Sequence, residues 1–96
     1  MHKTTPESIG TVIEKLFTEL GLGERYKRAK VIGAWKDIVG EQVANVSTAE
    51  RIVGKKLFVH VADSVWRNEL HMQKKQIIQR VNRFIGMTVI DDIKFH

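Results

Sequence analysis

The sequence predicts an α+β fold in the order α-α-β-β-α-β, with a three-stranded mixed sheet and helices packed on one face. Three observations support this class. Apolar residues recur at helical spacing before residue 40, the period changes to two after Thr48, and helical spacing returns between Asp63 and Gly86. A strand–helix–strand crossover after a hairpin gives such a sheet, with one face covered and the other open. We expect residues 1–96 to form a single domain with a binding platform.

Two helices are predicted in the first forty residues. Thr5-Pro6-Glu7 resembles a helix start, with a capping hydroxyl, a proline at the first position and an acid facing the helix dipole. Gly21-Leu22-Gly23 is predicted to end this helix, and a second helix is predicted from about Glu24 to Val39. The apolar stripe of the first is Ile9, Val12, Ile13, Leu16, Phe17 and Leu20, and that of the second is Val31, Ile32, Trp35, Ile38 and Val39.

A β-hairpin is predicted next. Thr48 to Val53 and Lys56 to Val61 alternate as strands around a Gly54-Lys55 turn, and the segment from Glu41 to Ser47 is compatible with one helical turn before them. The alternation predicts two faces: Leu57, Val59 and Val61 inward, and Lys56, Phe58 and His60 outward.

A third, longer helix is predicted from Asp63 or Ser64 to Gly86, followed by a last strand from Thr88 to Phe95. The buried stripe of this helix is predicted to be Trp66, Leu70, Ile77, Ile78, Val81, Phe84 and Ile85.

The composition indicates a small basic globular protein. The 96 residues carry a net charge of +5 with a pI near 9.8, and they include no cysteine. Disulfides and thiolate metal sites are therefore excluded, and no apolar run approaches the roughly 18 residues that cross a bilayer. Because no signal-peptide segment follows Met1, we expect a cytoplasmic, nucleoid-associated protein without a membrane partner.

Motifs for catalysis or cofactor binding are missing from the sequence. The four histidines, His2, His60, His71 and His96, show no metal-ligand spacing, and we expect them to be solvated. Gly54-Lys55-Lys56 lacks the upstream glycine and the following Ser or Thr of a phosphate-binding P-loop. Asp91 and Asp92 are predicted to point to opposite faces of a strand, so they do not form an acid–base pair. We expect no enzymatic activity, no metal or other cofactor, and no small-molecule substrate.

Positive side chains form the candidate functional surface, because a basic balance favours a polyanionic partner. The predicted nucleic-acid-binding residues are Arg25, Lys27, Arg28, Lys30, Lys55, Lys56, Arg67, Lys74, Lys75, Arg80 and Arg83. On one helical wheel Arg67 and Lys74 share a side, and Arg80 and Arg83 lie near the opposite one. These charges predict a belt that holds phosphates from several directions. The alternative is a helix charged only for solubility.

The outward strand positions offer a second candidate contact. Phe58 and His60 beside Lys56 have the residue types that stack on unpaired bases, although Phe58 is equally suited to being covered by a terminus or a partner. The G-x-x-G loop with which KH domains clamp nucleic-acid backbone is missing, because no two glycines are three residues apart.

Several landmarks resemble the DciA family over about residues 9 to 95. They are Trp35 with Ile38-Val39-Gly40, then Thr48, the run Gly54-Lys55-Lys56-Leu57-Phe58-Val59-His60-Val61, the run Ser64-Val65-Trp66-Arg67-Asn68-Glu69-Leu70, and Val81-Asn82. The most specific part is Gly54 to Leu70. The matching apolar residues fit core positions and Gly54 fits a turn.

The resemblance implies a KH-like domain in bacterial DNA replication. Its members bind DNA, single-stranded or forked DNA being expected here, and they assist loading of the replicative helicase without hydrolysing ATP. Many carry a further extension that contributes to helicase contact, whereas this sequence is expected to have almost nothing beyond the fold after His96. Two other hypotheses stay open: a protein-interaction adaptor whose basic face meets an acidic helicase surface, and a KH-like RNA-binding module.

Overall fold

The computed structural model describes residues 8–96, and the predicted α+β class is confirmed there. Six helices and three strands are found within this range: α1 Ile9–Glu19, α2 Gly23–Gly33, α3 Trp35–Val39, α4 Glu41–Ala44, β1 Thr48–Val53, β2 Lys56–His60, α5 Ser64–Met72, α6 Lys74–Ile85 and β3 Asp92–Phe95. The helix start predicted at Thr5-Pro6-Glu7 lies outside the described residues.

The sheet is mixed, in the strand order β1-β2-β3. β1 and β2 are antiparallel around the predicted Gly54-Lys55 turn, and β2 and β3 are parallel. The register shifts between Ala49, which faces Val59, and Arg51, which faces Phe58, so Glu50 is an extra residue in β1. Such a bulge re-aims the side chains around it and strengthens the local twist.

Both long predicted helices are interrupted once. Ala34 (φ −104°, ψ 13°) separates α2 from α3, and Gln73 (φ −95°, ψ 7°) separates α5 from α6. These angles lie near the bridge region of backbone space, which changes the direction of the chain. Arg67 and Lys74 consequently lie on different helices, and the prediction that they share one helical side is wrong.

One hydrophobic core lies between the helices and the inner face of the sheet. Leu57, Val59 and Val61 are fully buried, as predicted, together with Val31 and Leu70. Trp66, Ile78 and Ile85 are half-buried and pack against this core. The predicted burial of Phe84 is wrong, because this side chain is 41% exposed at the solvent side of α6.

The last strand is shorter than predicted because Asn82 binds the backbone in front of it. Asn82 Oδ1 accepts hydrogen bonds from the Val89 and Ile90 amides at 2.9 and 3.1 Å, and its Nδ2 donates to the Ile90 carbonyl at 2.9 Å. These groups are satisfied without a neighbouring strand, so pairing with β2 begins only at Asp92.

Helix α1 packs on α2 and exposes most of its apolar stripe. Ser8 Oγ accepts from the Thr11 amide at its start, and Gly21 (φ 77°) follows its end, as predicted for a glycine cap. The Phe17 and Tyr26 rings stack at 5.3 Å between the two helices. The remaining stripe residues are exposed: Ile9, Val12, Ile13, Leu16 and Leu20.

Candidate nucleic-acid interface

The hairpin turn lies between α2 and the start of β3. Arg28 Nη2 donates to the Gly54 carbonyl at 3.4 Å, and the Asp91 and Asp92 amides donate to the Lys55 carbonyl at 2.8 and 3.3 Å. Gly54 has φ 62°, which a residue with a side chain rarely adopts, so glycine suits this turn. The backbone contacts hold Lys55 close to the cationic face of α2.

Two more cations of α2 reach the end of α6. Lys27 Nζ lies 3.0 Å from Met87 Sδ, and Lys30 Nζ lies 5.8 Å from the centroid of the Phe84 ring. Neither contact neutralises the ammonium group, because a thioether and an aromatic face carry no net charge. The cations of α2 that make these contacts and the lysine of the hairpin turn are called here the α2–hairpin cluster: Lys27, Arg28, Lys30 and Lys55. Arg28 is the member with a nearby carboxylate, Glu24, at 3.9 Å.

Asp92, at the start of β3, forms ion pairs with two of the predicted nucleic-acid-binding residues. Its Oδ1 accepts a hydrogen bond from Lys74 Nζ at 3.1 Å, and its Oδ2 lies 3.8 Å from Lys56 Nζ. The hydrogen bond from Lys74 is the main cause that lowers the pKa of Asp92 from its ordinary value, with smaller contributions from the Ile93 amide and the charge of Lys56. Lys56 and Lys74 share one negative charge and offer a phosphate less than two free cations would.

The Arg67 guanidinium group is hydrogen-bonded to backbone carbonyls at the other end of β2. Its Nε and Nη2 donate to the Val61 carbonyl at 3.2 and 3.0 Å, and Nη2 also lies 3.4 Å from the Ala62 carbonyl. These bonds satisfy carbonyls where the chain leaves the sheet. Because β2 runs away from the hairpin turn, the structure does not bring Arg67 together with the α2–hairpin cluster.

The other predicted residues point into solvent. Arg25 lies on α2, and Lys75, Arg80 and Arg83 lie on α6, where they are called here the α6 cations. Within residues 8–96 these four side chains and that of Lys55 have no ion-pair partner.

The outer face of the sheet carries a cationic aromatic site, of which the sequence predicts Lys56, Phe58 and His60. Phe58 is half-buried there, as predicted, with His60 exposed beside it. The Arg51 guanidinium lies 4.3 Å from the Phe58 ring centroid and Lys56 Nζ lies 6.0 Å from it, while Lys94 faces Phe58 from β3. Arg51 and Lys94 were missed, because the bulge that turns Arg51 onto the ring has no clear sequence signal.

Three potential metal ligands also meet on this face, at the end away from the hairpin turn. Glu50, His60 and His96 place one ligand atom each within 4.8 Å of one another, and His96 Nε2 lies 2.8 Å from Glu50 Oε1. Sequence spacing missed this group, because its members come from β1, from β2 and from the residue after β3, which are far apart in the sequence.

The described residues define a small α+β protein with cations on α2, on α6 and at the hairpin turn, and with aromatic and charged side chains on the outer face of the sheet. In the described part of the chain, no helix is long and apolar enough to cross a membrane. The DciA family model, described as "Dna[CI] antecedent, DciA", matches residues 8–95, and the chain belongs to this family.

Similar proteins are found in Corynebacterium and Mycolicibacterium species. A UPF0232 protein of Corynebacterium glutamicum (strain R) is 30% identical over 88 residues, which are 92% of this chain and 49% of that protein. A UPF0232 protein of Mycolicibacterium smegmatis is 27% identical over 89 residues, or 93% of this chain and 46% of that protein. The chain thus spans about half the length of the curated relatives it matches.

Proposed function

We propose that this chain is a non-catalytic DNA-binding accessory protein of bacterial replication, which assists loading of the replicative helicase at the nucleoid. Membership of the DciA family supports a helicase-loader-type role at the level of the family. The observation that supports the DNA half is the α2–hairpin cluster, in which Lys27 and Lys30 contact neutral groups and Lys55 has no ion-pair partner within residues 8–96.

Phosphates are proposed to bind the α2–hairpin cluster and the α6 cations. Lys30 contacts the end of α6 at Phe84, next to Arg83, so the two groups adjoin. Contacts to phosphate position a nucleic acid without reading its sequence, so little sequence preference is expected. Arg67, Lys56 and Lys74 are proposed to contribute less than the other predicted residues, because backbone carbonyls or Asp92 already occupy them.

Unpaired bases are proposed to stack at the Arg51–Phe58 pair on the outer sheet face. A guanidinium group is planar and stacks on aromatic rings, so the pair presents a flat cationic surface. Single-stranded or forked DNA would satisfy both surfaces, because it supplies phosphates together with exposed bases.

Fluorescence anisotropy with labelled single-stranded, forked and duplex DNA tests the proposal. Binding is expected at about 50 mM salt, with a linear decrease of log affinity with log salt. Lys55→Gln combined with Arg80→Gln should weaken binding and reduce the salt slope for single-stranded DNA by about 1.4, or about 0.7 for each lost phosphate contact. A lack of binding at this salt concentration would contradict the DNA-binding part of the proposal.

Lys15→Gln combined with Lys36→Gln is the matched control. Both residues are exposed, on α1 and α3, and the two double variants have the same net charge. If DNA is held by this surface, the control loses much less affinity than Lys55→Gln/Arg80→Gln. Equal losses would mean that only overall charge matters.

A protein-interaction adaptor is the second candidate, favoured by the exposed apolar stripe of α1. In this case the replicative helicase, not DNA, is the principal partner. A pull-down of the cognate helicase by Lys55→Gln/Arg80→Gln separates the two roles, because retained helicase binding without DNA binding would show that the surfaces differ. An RNA-binding role would require equal or better affinity for RNA in competition with the DNA.

A further inference from the structure

The outer face of the sheet brings together two imidazoles and a carboxylate, from β1, from β2 and from the residue that follows β3. His60 ends β2, His96 follows β3 and Glu50 is the bulge residue of β1. Their ligand atoms lie within 4.8 Å of one another, and the two imidazole rings are 5.4 Å apart, inclined by 60°. We propose that Glu50, His60 and His96 bind a divalent transition-metal ion of the zinc type on this face.

The backbone holds the two histidines side by side. The His96 amide donates to the Val59 carbonyl at 3.0 Å, and the Val61 amide donates to the His96 carbonyl at 2.7 Å. These bonds flank His60, so His96 lies opposite it in a parallel pair and both rings leave the same face. Because strand backbone fixes both Cα positions, ligand binding requires little ordering of the chain.

The bulge explains how a carboxylate from the far strand joins them. In a regular antiparallel pair, side chains of β1 alternate between the two faces. The extra residue at Glu50 interrupts this alternation, and Glu50 reaches across β2 to hydrogen-bond His96 at 2.8 Å. Bulges commonly re-aim a side chain in this way.

Chemistry and distance both suit the zinc type of ion. Two imidazoles and one carboxylate form a recurrent ligand set for zinc, with water or another ligand in the fourth position. Zinc–ligand bonds of about 2.0–2.1 Å in a tetrahedron place ligand atoms about 3.3 Å apart. The present separations are all within 4.8 Å, so they exceed that value by about 1.5 Å at most, and all three side chains are exposed.

The contacts that the three ligand side chains make in the described part of the chain leave them able to bind a metal ion. Within residues 8–96, His60 makes a ring contact with His96 and no hydrogen bond from its side chain. The competing cation is Arg51, whose Nη1 lies 3.9 Å from Glu50 Oε1. Arg51 also packs on the Phe58 ring, so it retains a partner when the metal displaces it from the carboxylate.

Titration of the full chain with ZnCl2, followed by calorimetry and by NMR of the imidazole Cε1–H signals, tests the site. We expect one Zn2+ per chain and shifts of the His60 and His96 signals. His60→Ala, His96→Ala and Glu50→Gln should each weaken binding at least about tenfold, since each removes a ligand. Glu50→Gln is the most specific variant, because glutamine is similar in shape and can still hydrogen-bond His96.

His71→Ala and His2→Ala are the controls. His71 lies exposed on α5 and is not one of the three ligands, and His2 tests binding by the N-terminal residues. The proposal stands if both controls bind Zn2+ as the parent chain does. It is overturned if either control abolishes binding, if the three site variants bind normally, or if the parent chain fails to bind at 100-fold excess. Thermal melting of every variant establishes that the fold is retained.

Discussion

Trp35 Nε1 donates a hydrogen bond of 3.0 Å to Ser47 Oγ in the interior of the protein. The Ser47 hydroxyl donates in turn to the Val43 carbonyl at 2.6 Å, at the end of α4. Ser47 is the buried polar residue next to the core, and this chain of bonds joins α3, α4 and the start of β1. The position of the first strand therefore depends on a hydroxyl group in the loop that precedes it.

Ser47→Ala is expected to destabilise the fold by about 1–3 kcal/mol, because it leaves the Trp35 indole N–H without an acceptor in the interior. Urea denaturation of parent and variant measures the change. Ser64→Ala is the control, since Ser64 is exposed at the start of α5 and Asp63, not Ser64, caps that helix. Equal losses in the two variants would show that the buried hydroxyl is unimportant.

Asn82→Ala is expected to cost a similar amount, about 1–3 kcal/mol, because Asn82 makes three hydrogen bonds to the backbone of Val89 and Ile90. Hydrogen exchange should show faster exchange of these two amides, and the loss should extend to the neighbouring β3. Gln79→Ala, at an exposed position of the same helix, is the control. A stable variant with protected amides would argue against the role of Asn82.

The elements of the fold could largely be predicted from local patterns, but their interruptions could not. Gly54 and Gly21 have positive φ angles, which favour glycine, so the hairpin turn and the end of the first helix could be located from the sequence. Ala34 and Gln73 break helices without being helix breakers. Their angles are set by tertiary packing, which the spacing of apolar residues does not encode.

The sequence predicts which residues the candidate surfaces contain better than it predicts how those residues are arranged. Most of the cations on α2 and α6 are exposed, as a belt would require. Three of the predicted residues are not free, because Asp92 pairs with Lys56 and Lys74 and the Val61 carbonyl accepts from Arg67. Asp92 is 18 residues from Lys74 in the sequence, and a helical wheel does not show contacts between a helix and a strand. The same limit hid the Glu50, His60 and His96 group, which exists only through sheet register and a bulge.

Asp92 is expected to make stability depend on pH in the acid range. Its pKa is lowered in the folded state, so at acid pH the unfolded chain binds more protons there, and the stabilisation is present above about pH 4 and lost as pH falls through the folded pKa. Asp92→Asn keeps the oxygen that accepts from the Ile93 amide but lacks the charge. The stability difference between parent and variant, measured by urea denaturation, should therefore shrink below pH 4.

The size of this difference should be small at pH 7, because the Asp92 side chain is 40% exposed and solvent screens its ion pairs. It should decrease further in about 1 M salt, where the Debye length is only about 3 Å. A difference that is constant from pH 2 to 7 would assign the effect to packing and not to charge.

Phe58→Leu is expected to weaken single-stranded DNA binding about fivefold or more, because stacking of one base on an aromatic residue contributes about 1–3 kcal/mol. Duplex DNA offers few unstacked bases, so its affinity should change less than about twofold if phosphate contacts elsewhere dominate. Phe58→Trp preserves a stacking surface and should retain single-strand affinity. Anisotropy with both DNA forms measures these changes, and the half-buried Phe58 position makes a parallel thermal melt necessary. Equal losses for single strands and duplex in a folded Phe58→Leu variant would assign Phe58 to packing beneath Arg51 and leave base contact to another surface.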